Sequence, residues 1–349
     1  MTTMPRPAAP TLESVAALAG VSRATAGRVL SGSTTVNPSA SLAVRAAAES
    51  LGYVTNHAAR SLMTRRSDAV AFVVSETEDR FFGDPFFATM LRGVHRVVAA
   101  RNRQLMFIVV SSEADRRKLE QFAAGGHIDG AMFVSLHGPD PLPTRIRWFG
   151  VPVVLCGRAA IPQPDIPSVD ADNVGGTRLA TRRVLDRGAR CVVHLAGPAD
   201  MVAGQDRLAG FRAELRAAGV RGRPREVDGT GGDPVERGDF SVESGRAAIT
   251  RLLERFPEVD GVVSANDLMA LGAISALEAH GRRVPDVVAV VGFDDSELAR
   301  ASRPPLTTVH QPVEAMGARL AELLIDAIEG ADGAGSVVVP TELVIRASA

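Results

Sequence analysis

From Ala69 onward the chain alternates short apolar runs with longer segments of helical period, and this alternation leaves few folds open. The runs at residues 69–74, 105–110, 130–134 and 151–156 are apolar almost throughout, as strands covered on both faces must be. Segments such as 87–101 and 116–124 lie between them. A second set begins at 191–195, continues through 261–264 and ends at 287–291. The intervening helical stretches are 175–187, 208–218, 244–255 and 268–280. Strand–helix alternation of this kind predicts an α/β body of two doubly wound parallel-sheet lobes with a cleft between them.

In open parallel sheets, ligands gather beyond the carboxyl ends of the strands. Those ends read Ser75, Ser135 and Gly157-Arg158 in the first lobe. In the second lobe they read Asn266-Asp267 and Asp294-Asp295. The set is rich in hydrogen-bond formers and suits a small polar ligand of sugar or nucleoside type, although strand ends meet loops and loops are polar anyway.

The residues before Ala69 have a different texture. Residues 1–66 carry seven arginines against Glu13 and Glu49, a net +5, which leaves −6 on the rest of a chain whose total is −1. A basic head on an acidic body is the asymmetry expected when one segment meets a polyanion. Within the head, Thr11 can cap a helix with Leu12, Val15, Ala16 and Ala19 on one face, and Gly20 ends it. Ser22 caps a second helix from Arg23, with Ala26, Val29 and Leu30 inward. A third follows from Asn37-Pro38, with Leu42, Ala46 and Leu51 recurring along it and Gly52 closing it. Two short helices joined by a Gly-containing turn make a helix-turn-helix, and other three-helix bundles share the spacing. Asn56 then opens a capped helix of about two turns, too short to be stable alone. Its Leu62, amid Arg60, Arg65 and Arg66, suits a wedge in a minor groove with cations on the flanking phosphates.

Thr11-Leu12-Glu13-Ser14-Val15-Ala16, Ala19-Gly20-Val21-Ser22-Arg23-Ala24-Thr25, Arg28-Val29-Leu30, Leu51-Gly52-Tyr53 and the Asn56, Ala59, Leu62 spacing together resemble the lactose-repressor (LacI/GalR) family of transcriptional regulators. The resemblance continues through the body. It implies a fold of an all-α helix-turn-helix head with two lobes of the periplasmic-binding-protein type. It also implies a homodimer on a pseudo-palindromic double-stranded operator, controlled by a small-molecule effector that is carbohydrate-like. By the same resemblance Arg23 and Ala24 read bases, with Arg28 a bidentate donor to guanine. Thr11, Ser22, Thr25 and Tyr53 contact phosphates, and Asn56, Ala59 and Leu62 belong to the hinge helix at the operator centre.

The resemblance also assigns the cleft. Arg207, in Arg-Leu-Ala-Gly-Phe, grips the effector, Phe240 stacks on its apolar face, and Asn266, Asp294 and Gln311 make polar contacts. Phe86 forms an aromatic lip beside Ser75 and Ser135. The implied organisation is an arm over 1–10, a helix-turn-helix over 11–54, a hinge helix over 55–68 and a body over 69–349. Lobe 1 takes about 69–170 and 312–335; lobe 2 takes about 171–310 and 336–349. Residues 87–101 and neighbours form the dimer interface, and no leucine-heptad tail for tetramers follows.

Two departures stand out. Gly27 occupies a recognition-helix position that usually carries Ser, at up to ~1 kcal/mol of helix stability. Cys156-Gly157-Arg158 replaces a sugar-binding Asp, so that Arg158 is placed to grip an anionic or differently hydroxylated ligand.

The rival reading is a stand-alone binding protein or an enzyme built on the same body. No Walker loop, Gly-x-Ser-x-Gly elbow or His-Glu-x-x-His pair is present, so no catalytic residue, cofactor or metal site is expected. The seven histidines lack metal-ligand spacing, with His95 and His194 read as packing residues. Cys156 and Cys191 lie in strand-like runs and read as buried thiols. The N-terminal residues have no apolar signal block and no run approaches a membrane span, so a cytoplasmic protein without membrane contact is expected.

Overall fold

The computed structural model describes residues 10–30, 35–53, 66–219, 232–331 and 335–349. The chain divides into two compact units, Met1–Ser67 and Asp68–Ala349. The expected hinge helix, with Asn56, Ala59 and Leu62, and most of the expected arm lie outside the described residues.

The head is built from α1 (Leu12–Leu18), α2 (Arg23–Leu30) and α3 (Pro38–Ser50). Thr11 caps α1 in a reciprocal box with Ser14: the Ser14 amide donates to Thr11 Oγ1 (3.2 Å) and the Thr11 amide to Ser14 Oγ (2.9 Å). Gly20 turns the chain at φ +65°, and Ser22 Oγ accepts from the Thr25 amide at 3.1 Å to start α2. Val15, Ala16, Ala26, Val29, Val44, Ala47 and Ala48 form the core. The inward face of α3 therefore differs from the expected one, for Leu42 is exposed and Ala46 faces solvent too. The helix is alanine-rich on several faces, so its spacing alone does not decide which stripe meets Val15 and Val29.

The body opens with β1 (Ala69–Val74), α4 (Glu78–Gly83), α5 (Pro85–Ala100), β2 (Gln104–Val109), α6 (Glu113–Ala124) and β3 (Gly130–Val134). It continues with α7 (Leu142–Trp148), β4 (Val153–Cys156), β5 (Ser168–Ala171), α8 (Asn173–Asp186), β6 (Val192–Ala196) and α9 (Val202–Ala217). Then come β7 (Val235–Arg237), α10 (Val242–Arg255), β8 (Gly261–Ser264), α11 (Asp267–Ala279), β9 (Ala289–Asp294) and α12 (Glu297–Ala301). The chain closes with β10 (Thr307–His310), α13 (Val313–Glu329), β11 (Val337–Val339) and β12 (Glu342–Val344).

Two six-stranded sheets result. The first runs β11-β5-β4-β3-β1-β2, all parallel; the second runs β12-β10-β9-β8-β6-β7, parallel except for β12. Helices cover both faces of each sheet, giving two apolar cores per lobe. Central strands such as β1 and β3 are buried along their whole length, which explains their unbroken apolar runs. His194 on β6 is a packing residue, as expected: it is fully buried, stacks on Phe211 at 4.8 Å and bonds the Val263 carbonyl through Nδ1. Burial pulls its pKa down to about 3, so it is neutral. His95, by contrast, sits on the exposed side of α5.

One boundary is corrected. Residues 337–339 pair with β5 in the first sheet, not the second, so the last crossing to lobe 2 falls at Pro340-Thr341. A three-residue edge strand preceding another three-residue strand reads as one segment in sequence. The chain thus crosses between lobes three times, after β5, after β10 and after β11. The first and third crossings are tied together: the Asp172 amide donates to the Val339 carbonyl at 2.9 Å and Thr341 Oγ1 to the Asp172 carbonyl at 3.1 Å. In lobe 1, α5 and α13 approach backbone to backbone. A Cβ at Gly93 would strike the Glu314 carbonyl oxygen, and one at Gly317 the Met90 carbonyl oxygen. This contact fixes α13 and, with it, the second crossing.

At Gly27 on α2 a Cβ would meet only Leu12 Cδ2, at an ordinary 3.6 Å. Space does not require glycine there, so Gly27→Ser recovers helix propensity of about 0.5 kcal/mol, Ser lying midway between Ala and Gly. The head transition of the full chain should rise by about 2–4 °C in calorimetry, the shift ~0.5 kcal/mol gives a domain this small. An unchanged or lower transition would contradict the packing described.

Candidate ligand cleft and DNA-facing helix

In the head, Arg23, Ala24 and Arg28 are exposed on α2, while Thr25 and Gly27 are half-buried beside them. Arg23 pairs with Glu13 at 2.8 Å, both side chains well exposed. An exposed pair of this kind contributes only about 0–1 kcal/mol, so the guanidinium is readily exchanged to a nucleic-acid acceptor. Thr11 and Ser22 sit at the N-terminal caps of α1 and α2, where unpaired amides and the helix dipole favour a phosphate. Tyr53 packs partly on the head core. All seven described head residues of the expected DNA set thus lie on or beside the N-terminal ends of α1 and α2, the exposed face of α2 or the end of α3.

In the body, the topological switch of lobe 1 lies between β1 and β3, and that of lobe 2 between β6 and β8. At the carboxyl ends of β3, β4 and β5 lies a cavity of about 90 Å³ whose walls include Phe86, Ser135, Arg158, Asp170, Asn173 and Arg207. Gln311, from the second crossing, also lines it. Five of the expected residues are therefore brought together: Phe86, Ser135, Arg158, Arg207 and Gln311. A larger groove of about 1120 Å³ opens on another side of the inter-lobe region, bordered by Phe86, Asp267, Asp294 and Gln311.

Arg207 is the buried anchor. Its Nε donates to Asn173 Oδ1 at 2.9 Å and its Nη1 to the Ala265 carbonyl at 2.5 Å. The same Nη1 lies 3.6 Å from Asp294 Oδ1, and the guanidinium sits 3.8 Å from the Phe293 ring centroid. Burial pushes the Arg207 pKa down, and the Asp294 carboxylate resists that shift. Asp294 is itself pushed well above the usual carboxylate range by burial, with Arg207 opposing. Gln311 Nε2 donates to Asp294 Oδ1 at 2.5 Å. Its neighbour Asp267, buried and bonded by the Thr308 hydroxyl, is raised to about 6.

Arg158 is differently placed. Its Nε donates to Asp170 Oδ2 at 2.9 Å and its Nη2 pairs with Asp206 of the opposite lobe. The bond it donates to Asp170 raises its pKa further. Ser135 adopts φ +62° and donates its hydroxyl to Glu76 Oε1 at 2.6 Å.

Three expected residues lie behind the cavity wall. Asn266 caps α11, accepting from the Met269 amide at 2.9 Å, and donates Nδ2 to the Phe240 carbonyl at 2.9 Å. Phe240, at φ +70°, is buried against Gly197. Ser75 is buried, and its hydroxyl finds no hydrogen-bond partner among the described residues. Sequence reasoning missed Asp170, Asn173 and Asp206. Asp170 sits on a four-residue strand that follows the Pro-rich stretch 162–167, and so short a run carries little periodic signal.

Residues 11–56 match the family described as bacterial regulatory proteins, lacI family, and residues 181–349 match a periplasmic binding protein-like domain. The HTH-type transcriptional regulator CelR of Thermobifida fusca is 46% identical over 347 residues, covering 99% of this chain and 100% of that one. The ribose operon repressor of Halalkalibacterium halodurans is 30% identical over 338 residues, 96% of each chain. Among solved structures, a CelR–cellobiose complex matches with TM-score 0.76 at 45% identity, over 97% of this chain and 100% of that one. A lac repressor dimer bound to operator and the anti-inducer ONPF matches at 0.82 with 25% identity, over 97% and 98%.

Removing Arg207 takes a buried donor from Asn173 and the buried cation from Asp294, which keeps only the Gln311 amide. Arg207→Leu should cost the body about 3–5 kcal/mol in urea unfolding. The double variant Arg207→Leu/Asp294→Leu should recover part of that loss. Additive losses would mean that the two side chains are not coupled.

Proposed function

Because this chain belongs to the lacI family of bacterial regulatory proteins, we propose that it is a dimeric, operator-binding repressor whose effector is a neutral sugar of disaccharide size, with cellobiose the first candidate. The observation that carries the ligand class is the charge balance of the cleft. Arg207 faces Asp294, and Arg158 lies between Asp170 and Asp206. Each guanidinium already has its carboxylate, so an anionic ligand would compete with groups held in place, and binding one would leave a carboxylate buried without its cation. A neutral polyol asks for donors and acceptors only, and these the cleft has in Arg158, Asp170, Asn173 and Gln311, with Phe86 as the apolar face. Relatives that match along nearly the whole chain are regulators, which favours this reading over an enzyme or a free-standing binding protein. The cellobiose complex of CelR supports the choice of sugar.

The cavity of about 90 Å³ lies well below the roughly 300–1,000 Å³ of small-molecule pockets, so entry of a disaccharide requires its walls to part. Those walls belong to different lobes joined by three crossings, and lobe rotation is the motion they permit. Through the segment over 55–68, the lobe angle sets how the two heads of a dimer meet the operator. By linkage, the effector changes operator affinity by the factor by which the operator changes effector affinity, typically ~5- to 150-fold. Acting on chromosomal DNA, the protein works in the cytoplasm.

Genomic fragments selected by the full-length protein should share a pseudo-palindrome, and cellobiose should shift their binding. In calorimetry cellobiose should bind more tightly than cellobionate, its carboxylate counterpart, by roughly 10-fold or more. Equal or tighter binding of the anion would overturn the neutral assignment.

A further inference from the structure

Among the described residues, side chains of three kinds make polar contacts between the lobes across the cleft. Arg158 of lobe 1 pairs with Asp206 of lobe 2. Arg80 of lobe 1 reaches the Phe240 carbonyl at 3.4 Å and lies over that ring at 5.3 Å. The third contact is made by His137, on the loop after β3. Its Nδ1 is 3.0 Å from Asp200 Oδ2 in lobe 2, and its Nε2 is 3.2 Å from Glu76 Oε1 in lobe 1. The backbone reinforces it, for the Gly138 amide donates to the Asp200 carbonyl at 2.9 Å. Two of the three side chains are guanidiniums, charged at every accessible pH. His137 alone among them can change charge near neutrality.

Both ring nitrogens of His137 face carboxylate oxygens. A neutral imidazole has one N–H and can satisfy only one of the two acids; the imidazolium donates to both. Glu76 Oε1 also accepts the hydroxyl of Ser135, which lines the cleft at φ +62°. The ring therefore holds the far lobe and, through Glu76, a residue of the cavity wall.

We propose that His137 is a proton-dependent latch: its imidazolium, bridging Glu76 and Asp200, holds the lobes closed and sets the affinity of the cleft for its effector. The proposal concerns regulation of the effector site and rests on the sugar-effector reading for its binding assay. Electrostatics agree with the geometry. The bond to Glu76, with further help from Asp200 and against burial, raises the His137 pKa to about 9. The other charged groups bordering the pocket beside His137 are Glu113, Arg116, Glu120, Asp140 and Arg145. Arg116 is paired with Asp140 and, at 3.9 Å, with Glu113, and Arg145 with Glu120, so each of these carboxylates has a guanidinium of its own set.

When the lobes part, His137 loses Asp200 and its pKa falls. The closed form thus binds the proton more tightly, and closure is favoured at low pH and weakened as pH rises through about 9. Across pH 7 to 9.5 Asp267, raised to about 6, and the Cys156 thiol, held up at about 12 by burial, keep their charge states; Asp294 is also raised, and His137→Asn separates the latch from it.

The test uses the full chain at constant ionic strength. Cellobiose affinity of the unmodified protein should fall about 5-fold or more between pH 7 and 9.5, a typical coupling between two sites. His137→Asn, which keeps a hydrogen-bonding side chain but no titratable proton, should bind at pH 7 as the unmodified protein does at pH 9.5 and show no slope. Asp200→Asn should flatten the slope likewise. A slope that survives in His137→Asn overturns the latch. Spin labels at Arg117→Cys on lobe 1 and Glu243→Cys on lobe 2 read closure without any ligand, and both native thiols are raised to about 12 and resist labelling. The inter-lobe distance should lengthen with pH in the parent and not in His137→Asn. If cellobiose fails to bind while that distance still responds to pH, the effector reading falls and the latch stands. A distance that ignores pH in the parent refutes it.

Discussion

A guanidinium removed from water must be matched or it unfolds its surroundings, and much of the body is arranged around the one at Arg207. Its four partners come from three places: the start of α8 just past the first crossing, the residue after β8, and the end of β9, which supplies both Asp294 and the Phe293 ring. The residues holding Arg207 therefore tie a hinge segment to two strand ends of lobe 2. Because Arg207 also lines the cavity, the group that consolidates lobe 2 is the group a ligand would touch. Replacing a buried pair by apolar side chains often preserves stability. That a charged pair stands here instead is consistent with a site that must exchange hydrogen bonds with a polar guest.

The three crossings give that exchange its consequence. A single linker would leave two lobes free to sample many angles. Three, with two of them hydrogen-bonded to each other through Asp172, Val339 and Thr341, restrict the lobes to a hinge. The close approach of α5 and α13 at Gly93 and Gly317 makes lobe 1 rigid up to the second crossing. Motion is thus confined to the angle between lobes, which a ligand contacting both walls biases by its differential affinity for the open and closed arrangements.

Much of this was legible in the sequence. Buried parallel strands need unbroken apolar runs, so β1, β3, β6, β8 and β9 were visible, and of the residues read at strand ends Ser135 and Arg158 line the cavity. The head's helices were marked by Thr11, Gly20, Ser22 and Asn37-Pro38, whose caps and turns act locally. What was not legible depends on contacts far apart in the chain. The inward stripe of α3 is chosen by Val15 and Val29, not by spacing. The strand β11 is three residues long and acquires its sheet only by pairing with β5. Asn266 and Phe240 look like ligand contacts by type and place, yet their hydrogen bonds to each other and to α11 commit them to holding the wall. Arg158 read alone suggested an anionic or differently hydroxylated ligand; its pairs with Asp170 and Asp206, from a short strand and from the other lobe, weigh against the anion.

The same two-lobed geometry gives different pH behaviour to different ends of the cleft. Arg158 with Asp206 closes one part with a guanidinium whose charge persists across the accessible range. At His137, two carboxylates compete for a ring that can satisfy both only when protonated. Both contacts favour closure, but only the second makes closure consume a proton. A ligand that closes the lobes must then also raise the proton affinity of that ring, whatever the ligand's own chemistry. Proton and effector act on one hinge coordinate, and neither needs to touch the other.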